Sequence, residues 1–184
     1  MLHRVSWAEY ERRLAGKGEK RLPLMAYLDG ELELVSPSED HEWITRQIEH
    51  LLATYALARG IEFSGLGSWT LRSKLESAGV EPDNCYLFGP RWRGRRRPDV
   101  AIEVEWTRGG IAKLEIYRRL RVPEVWIWKG GRIEIHSLRR GAYVRADASR
   151  FVPGIDLALL CKFIDRPTTS SAVLAYRKAL ARRR

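Results

Sequence analysis

The residues best suited to chemistry fall between Glu81 and Trp128. Glu81-Pro82-Asp83 opens the stretch, and the arginine-rich segment GPRWRGRRRP follows at 89–98. Pro98-Asp99 then leads into VAIEVEW, with Glu103 and Glu105, and Lys113 comes after it. Suppose 80–88 and 98–106 form an antiparallel hairpin whose loop is centred near Arg93. Asp83 then stands across from Glu103, because both lie equally far from Arg93. Facing residues on neighbouring strands hold their Cβ atoms about 4.5–5.5 Å apart, which lets two carboxylates share one hard cation. Mg²⁺ takes oxygen ligands near roughly 2.1 Å and keeps several waters or phosphate oxygens. Two buried carboxylates with no cation between them repel and raise each other's pKa. The pairing therefore points to a divalent metal, Mg²⁺ or Mn²⁺, held by Asp83 and Glu103.

Asp99 is the second choice. It lies four residues before Glu103, about 13 Å along an extended strand, so it shares the face but not the metal unless the register differs. Glu105 shares the face of Glu103. Lys113, early in a following helix, can bring its ammonium over the acidic face and orient a water against a phosphorus. Arg91, Arg93, Arg95, Arg96 and Arg97 suit bidentate grip of flanking phosphates, with Trp92 placed to pack on a sugar or base.

Each of these residues also has a plainer reading. Pro-Asp is a common turn or strand-entry dipeptide. Glu103 and Glu105 equally suit the solvated face of a half-exposed sheet. Lys113 and the loop arginines suit an ordinary surface. His41, near a helix start, is more often a cap or a packed residue than a ligand. Trp126 and Trp128 suit a core or an interface.

Several elements must position these groups. SWAEYERRLA at 6–15 reads as a helix with Ser6 as N-cap and Glu9 three residues on. Two apolar runs flank Asp29-Gly30, a hairpin signal over 24–36. A helix is expected over 38–58, capped by Ser38 or Asp40 and ended by Gly60, with Ile44, Ile48, Leu51, Leu52 and Tyr55 as its apolar stripe. His41 lies within reach of that stripe. Residues 61–88 read as extended segments, 98–106 as a strand alternating apolar and acidic residues, and 109–121 as a helix. EVWIW and RIEIHSL form a hairpin about Gly130-Gly131, with a further strand at 142–145 and helices at 155–164 and 168–182. This order gives an α/β (α+β) protein: a mixed sheet with helices packed against it.

The chain has 184 residues, 45% hydrophobic and 30% charged, which suits one domain over 1–184. Within it, 1–20 reads as an N-terminal helical segment and 165–184 as a basic C-terminal helix. A net charge of +10 attracts polyanions, nucleic acid first among them. The two cysteines, Cys85 and Cys161, lack metal-ligand spacing and read as free thiols in a reducing compartment. No signal core and no membrane-length apolar run appears, so a cytoplasmic protein is expected.

The chain resembles the Uma2 family of restriction-endonuclease-like proteins, a branch of the PD-(D/E)XK superfamily. The resemblance rests on YLDGELELVSPSEDHEWI at 27–44, EPDNCYLF at 81–88, PDVAIEVEWTRGGIAKLEIYRRLRVPEVWIW at 98–128 and the RIEIHSL strand. It implies a restriction-endonuclease-like core with the active site on the central hairpin. Asp83 would supply the motif aspartate, and Glu103 would take the acidic (D/E)XK position. The superfamily lysine would fall at 105, where this chain has Glu105; in this family it moves to the next helix, at Lys113. Glu105 would then add a metal ligand or bind a second cation. His41 matches a histidine at the start of the first core helix. The expected activity is Mg²⁺-dependent endonucleolytic hydrolysis of DNA. The alternatives are a non-catalytic DNA-binding or assembly module on the same scaffold, and a structural protein. A homodimer is expected, with Trp126/Trp128 and the last helices as its interface.

Overall fold

The computed structural model describes residues 1–18, 20–105 and 110–182. The first helix, α1 (Trp7–Lys17), starts as expected, with the Ser6 hydroxyl accepting the Glu9 N–H, and runs two residues further. The hairpin of β1 (Leu24–Leu28) and β2 (Glu31–Val35) turns on Asp29 and Gly30. Their φ angles of 48° and 94° are both positive, as a two-residue type I′ turn requires. Helix α2 (Glu39–Ala58) is capped by Ser38, whose hydroxyl accepts the His41 N–H at 3.3 Å, rather than by Asp40. All five residues of its expected apolar stripe are buried.

The extended region resolves into four strands: β3 (Phe63–Gly65), β4 (Leu71–Ser73), β5 (Ala78–Val80) and β6 (Asn84–Phe88). After the arginine-rich loop come β7 (Val100–Val104), α3 (Lys113–Arg119), β8 (Glu124–Lys129), β9 (Arg132–Arg139) and β10 (Ala142–Ala146). Two helices, α4 (Leu157–Cys161) and α5 (Thr169–Ala181), complete the order. Helix α3 is shorter than the expected 109–121: residues 110–112 are not helical, and Gly109 lies outside the described residues. Helix α4 likewise covers only half of 155–164, while α5 opens on a Thr168–Ser171 capping box.

A single mixed sheet was the expectation, and the strands form two. A six-stranded sheet has the order β10-β9-β8-β7-β6-β3, and a four-stranded one the order β2-β1-β5-β4. The N-terminal hairpin is thus half of a second sheet. The difference arises because β5 pairs with β1, far away in sequence, and β4 with β5, while β3 pairs with β6. In the larger sheet only β7 and β8 run parallel, joined by the crossover that contains α3.

Layering follows from the alternation along β7. Val100, Ile102 and Val104 face a core shared with Ile48 and Leu52 of α2 and Tyr176 of α5. Ala101 faces the other way, into a core with Ala26, Val80, Ile116 and Tyr117. Central β7 is buried along its whole length, so the acidic face of Glu103 is not the solvated face of a half-exposed sheet. Trp126 and Trp128 are core residues, 0% and 7% exposed. They do not form the expected dimer interface, because both faces of β8 are covered. Among the described residues, no helix is long and apolar enough to cross a membrane.

Candidate active site at the end of the central hairpin

The antiparallel ladder of β6 and β7 pairs Asn84 with Ile102, Cys85 with Ala101 and Tyr86 with Val100. Carried one residue further, this register sets Asp83 opposite Glu103, as the spacing about Arg93 implied. Both carboxylates are buried, Asp83 3% and Glu103 1% exposed.

Each acid is held by fixed donors. The Asp83 Oδ2 atom accepts the Val104 N–H at 2.8 Å and lies 3.1 Å from His41 Nε2. Lys113, the first residue of α3, donates from Nζ to Glu103 Oε2 at 2.6 Å. The Tyr117 hydroxyl, one turn on, donates to Glu103 Oε1. Asp83, His41, Lys113, Val104, Glu105 and Glu33 line a cavity of about 500 Å³ beside the pair.

The electrostatics have one consistent sense. Burial raises the Glu103 carboxyl, and the nearby Asp83 charge adds to that against the opposing pull of Lys113, pushing it up to about 7. Burial opposes the charged form of Lys113, but the Glu103 and Asp83 charges outweigh it and hold the ammonium well above its usual range. Burial likewise lowers His41, yet its bond to Asp83 and the Asp83 charge produce a net upward shift. For Asp83 burial raises, and the His41 bond with the Lys113 charge reverses it, so the shift is downward. Glu103, Lys113 and His41 thus all bind their protons more tightly than in water. Burial is the largest cause for Glu103, while His41 and Lys113 hold Asp83 in its ionised form.

Two facing carboxylates supply hard oxygen donors, which suits a cation that keeps most of its water shell. Among the described residues no set of three or more His, Cys, Asp or Glu is spaced to cage a metal. The facing pair would offer a hard cation such as Mg²⁺ or Mn²⁺ its oxygens, and both Glu103 oxygens are engaged by Lys113 and Tyr117.

Other candidate residues fall elsewhere. Glu105 reaches the cavity rim, where Lys129 Nζ donates to it at 2.6 Å. Asp99 sits at the opposite end of β7: its Oδ2 accepts the Phe88 N–H at 2.9 Å, and its Oδ1 accepts from Arg95 at 2.5 Å. It braces the loop and does not join the acid pair. The loop with Arg91, Trp92, Arg93, Arg96 and Arg97 closes that same far end, about 16 Å from Glu103 at roughly 3.3 Å per strand residue. The hairpin holds turn and acids apart, so the loop stands at the other end of the strands from the acid pair. Arg95 is already engaged by Asp99.

Two site residues escaped the sequence reading. Tyr117 was findable, since it lies four residues after Lys113 and hence on the same helix face. Glu33 reaches the cavity from β2, and only the long-range β1–β5 pairing brings that hairpin there. Gly110 accommodates it: a Cβ there would meet Glu33 Oε1 at 2.7 Å, and the φ of 121° disfavours other residues.

This layering of helices on a mixed sheet, with paired acids at the end of its central hairpin, is restriction-endonuclease-like. The crystal structure of a protein from Anabaena variabilis, described as "a putative nuclease belonging to DUF820", has a similar fold. The likeness has a TM-score of 0.51 and covers 84% of this chain and 92% of that one, at 12% identity. The family Uma2, described as "Putative restriction endonuclease", matches residues 7–162. The chain belongs to that family. Comparison with curated proteins gives no match.

Proposed function

We propose that the chain is a divalent-cation-dependent endonuclease that hydrolyses DNA phosphodiester bonds, working as one domain in the cytoplasm. The observation that carries this reading is the facing Asp83–Glu103 pair with Lys113 2.6 Å from Glu103 at the edge of a cavity. Asp83 and Glu103 would hold Mg²⁺, with the Val104 carbonyl as a further donor. When bound, the cation supplies Lewis-acid polarisation of the phosphoryl oxygen and acidifies its water. Lys113 orients the attacking water and balances developing negative charge. Val104 N–H and His41 fix the Asp83 carboxylate, Tyr117 fixes Glu103, and Glu105 extends the acidic rim. The charge of +10 draws the polyanion in. Cutting both strands calls for a second copy, and the exposed Leu57 and Leu174 on α2 and α5 offer a face for it.

A second reading, a DNA-binding scaffold without turnover, is favoured by one observation: both Glu103 oxygens are already engaged, by Lys113 and Tyr117. Calorimetric titration with Mn²⁺, paired with a plasmid-nicking assay, separates the two. The nuclease reading expects binding and nicking in the wild type and neither in Asp83→Ala. Cation binding without nicking, or no binding even with DNA present, would leave the scaffold.

A further inference from the structure

The far end of the central hairpin carries a second constellation. Trp92, Arg93, Gly94 and Arg95 form one wall of a cavity of about 310 Å³, and Leu66 and Trp69 form the other. That volume is at the small end of the range for sites that enclose a small organic group. Trp92 is 48% exposed, and the Arg93 guanidinium lies 5.2 Å from its ring centroid. An indole left in water beside a flat cation offers a surface on which another ring can stack.

One of the two arginines that line this slot is engaged, and among the described residues Arg93 is in no ion pair. Arg95 is spent on Asp99, which ties the loop to the start of β7. Among the described residues Arg91, Arg93, Arg96 and Arg97 form no ion pair, whereas Arg46, Arg118 and Arg119 each meet a carboxylate. Arg93 lines this aromatic slot, and Arg91, Arg96 and Arg97 belong to the same loop; together they complement a ligand that is flat in one part and anionic on either side. A nucleotide within a strand has that form. A paired base hides its faces in the stack, so the slot suits an unpaired one.

We infer that this cradle binds one unpaired nucleobase of a nucleic-acid strand, stacked on Trp92, while Arg91, Arg93, Arg96 and Arg97 neutralise the neighbouring phosphates. The inference rests on the nucleic-acid reading above for its class of partner, and deepens it. The contact lies about 16 Å from the acid pair along the strand, on the order of five base steps of B-form rise. It is thus a second contact, separate from the groups that hold the scissile bond.

The test is fluorescence anisotropy with labelled oligo(dT) and with an abasic strand of equal length, in EDTA so that nothing is cut. The wild type should bind oligo(dT) about 5- to 150-fold more tightly than the abasic strand, the range for one base–aromatic stack. Trp92→Ala should remove that difference and Trp92→Phe should restore most of it, with unchanged thermal melting. Arg96→Ala with Arg97→Ala should weaken both strands alike and flatten the salt dependence. Equal binding of the two strands by the wild type, or an unaffected Trp92→Ala, overturns the cradle. Nicking is measured separately with Mn²⁺. Its absence, with the base preference intact, removes the nuclease reading and leaves the cradle standing.

Discussion

Glu81 and Glu103 are both buried glutamates bonded to a lysine; Glu81 lies two residues before Asp83, and Glu103 faces Asp83 across the β6–β7 ladder. Lys17 Nζ donates to both Glu81 oxygens at 2.8 Å, the Met25 N–H donates at 3.0 Å and the Thr70 hydroxyl at 3.1 Å. Three donors, from α1, β1 and the segment before β4, converge on one carboxylate in four hydrogen bonds. Glu103 has two donors, a second carboxylate opposite and a cavity alongside. The first arrangement closes on itself and ties α1 to the smaller sheet. The second keeps a facing carboxylate and room for a ligand. A buried Glu–Lys pair is thus no sign of a site; an acid with a raised pKa beside a cavity is.

Breaking each pair sharpens the contrast. The largest expected effect is on activity: Glu103→Gln or Asp83→Ala should lower plasmid nicking on the order of a thousandfold, as loss of metal-derived stabilisation implies. Thermal melting of Glu103→Gln should fall little, since the change removes one of two repelling carboxylates; Asp83→Ala should cost about 1–3 kcal/mol more, because it leaves the buried Val104 N–H without its acceptor. Loss of the fold in both would show that the pair is structural. Next is stability: Lys17→Met leaves Glu81 buried and unpaired, at a cost of about 3–5 kcal/mol. At roughly 2–4 °C per kcal/mol the melting temperature should drop on the order of 10 °C. Nicking per folded molecule should stay at the wild-type level, and adding Glu81→Leu should recover much of the loss.

A third expectation concerns pH. Glu103 is raised to about 7, so its stabilising contribution is complete below its ordinary value of 4.5 and is lost as pH rises through about 7. Cation binding requires the ionised form. Mn²⁺ affinity should therefore rise about tenfold per pH unit below 7 and level off above it, with proton release seen by calorimetry in two buffers. Stabilisation by Mn²⁺ should be greater at pH 8 than at pH 6, and Glu103→Gln should abolish the slope. The smallest effect is at the rim: Glu105 and Lys129 are 40% and 56% exposed, so Lys129→Ala should change stability by less than about 1 kcal/mol. A nicking loss as large as that of Glu103→Gln would move Glu105 from the rim into the metal site.

Much of this was legible in local pattern. The Ser6 and Ser38 caps, the Asp29-Gly30 turn and the α2 stripe depend on neighbours a few residues apart, and all are present. The opposition of Asp83 and Glu103 followed from symmetry about Arg93, because a hairpin's register is set by its own loop. His41 is a secondary candidate in the sequence, and the fold places its ring against Asp83.

The amino-acid sequence alone determined the elements, the family and the central acid pair, since these rest on short-range periodicity and one hairpin. Tertiary structure alone decided which strands share a sheet, that β7 is buried on both faces, that Glu33 and His41 meet at the cavity, and that Tyr117 donates to Glu103. It also set the arginine loop at the far end from the acids. Those outcomes depend on pairings between segments distant in the chain, such as β1 with β5. There, burial of apolar faces selects the partner, and no local spacing records the choice.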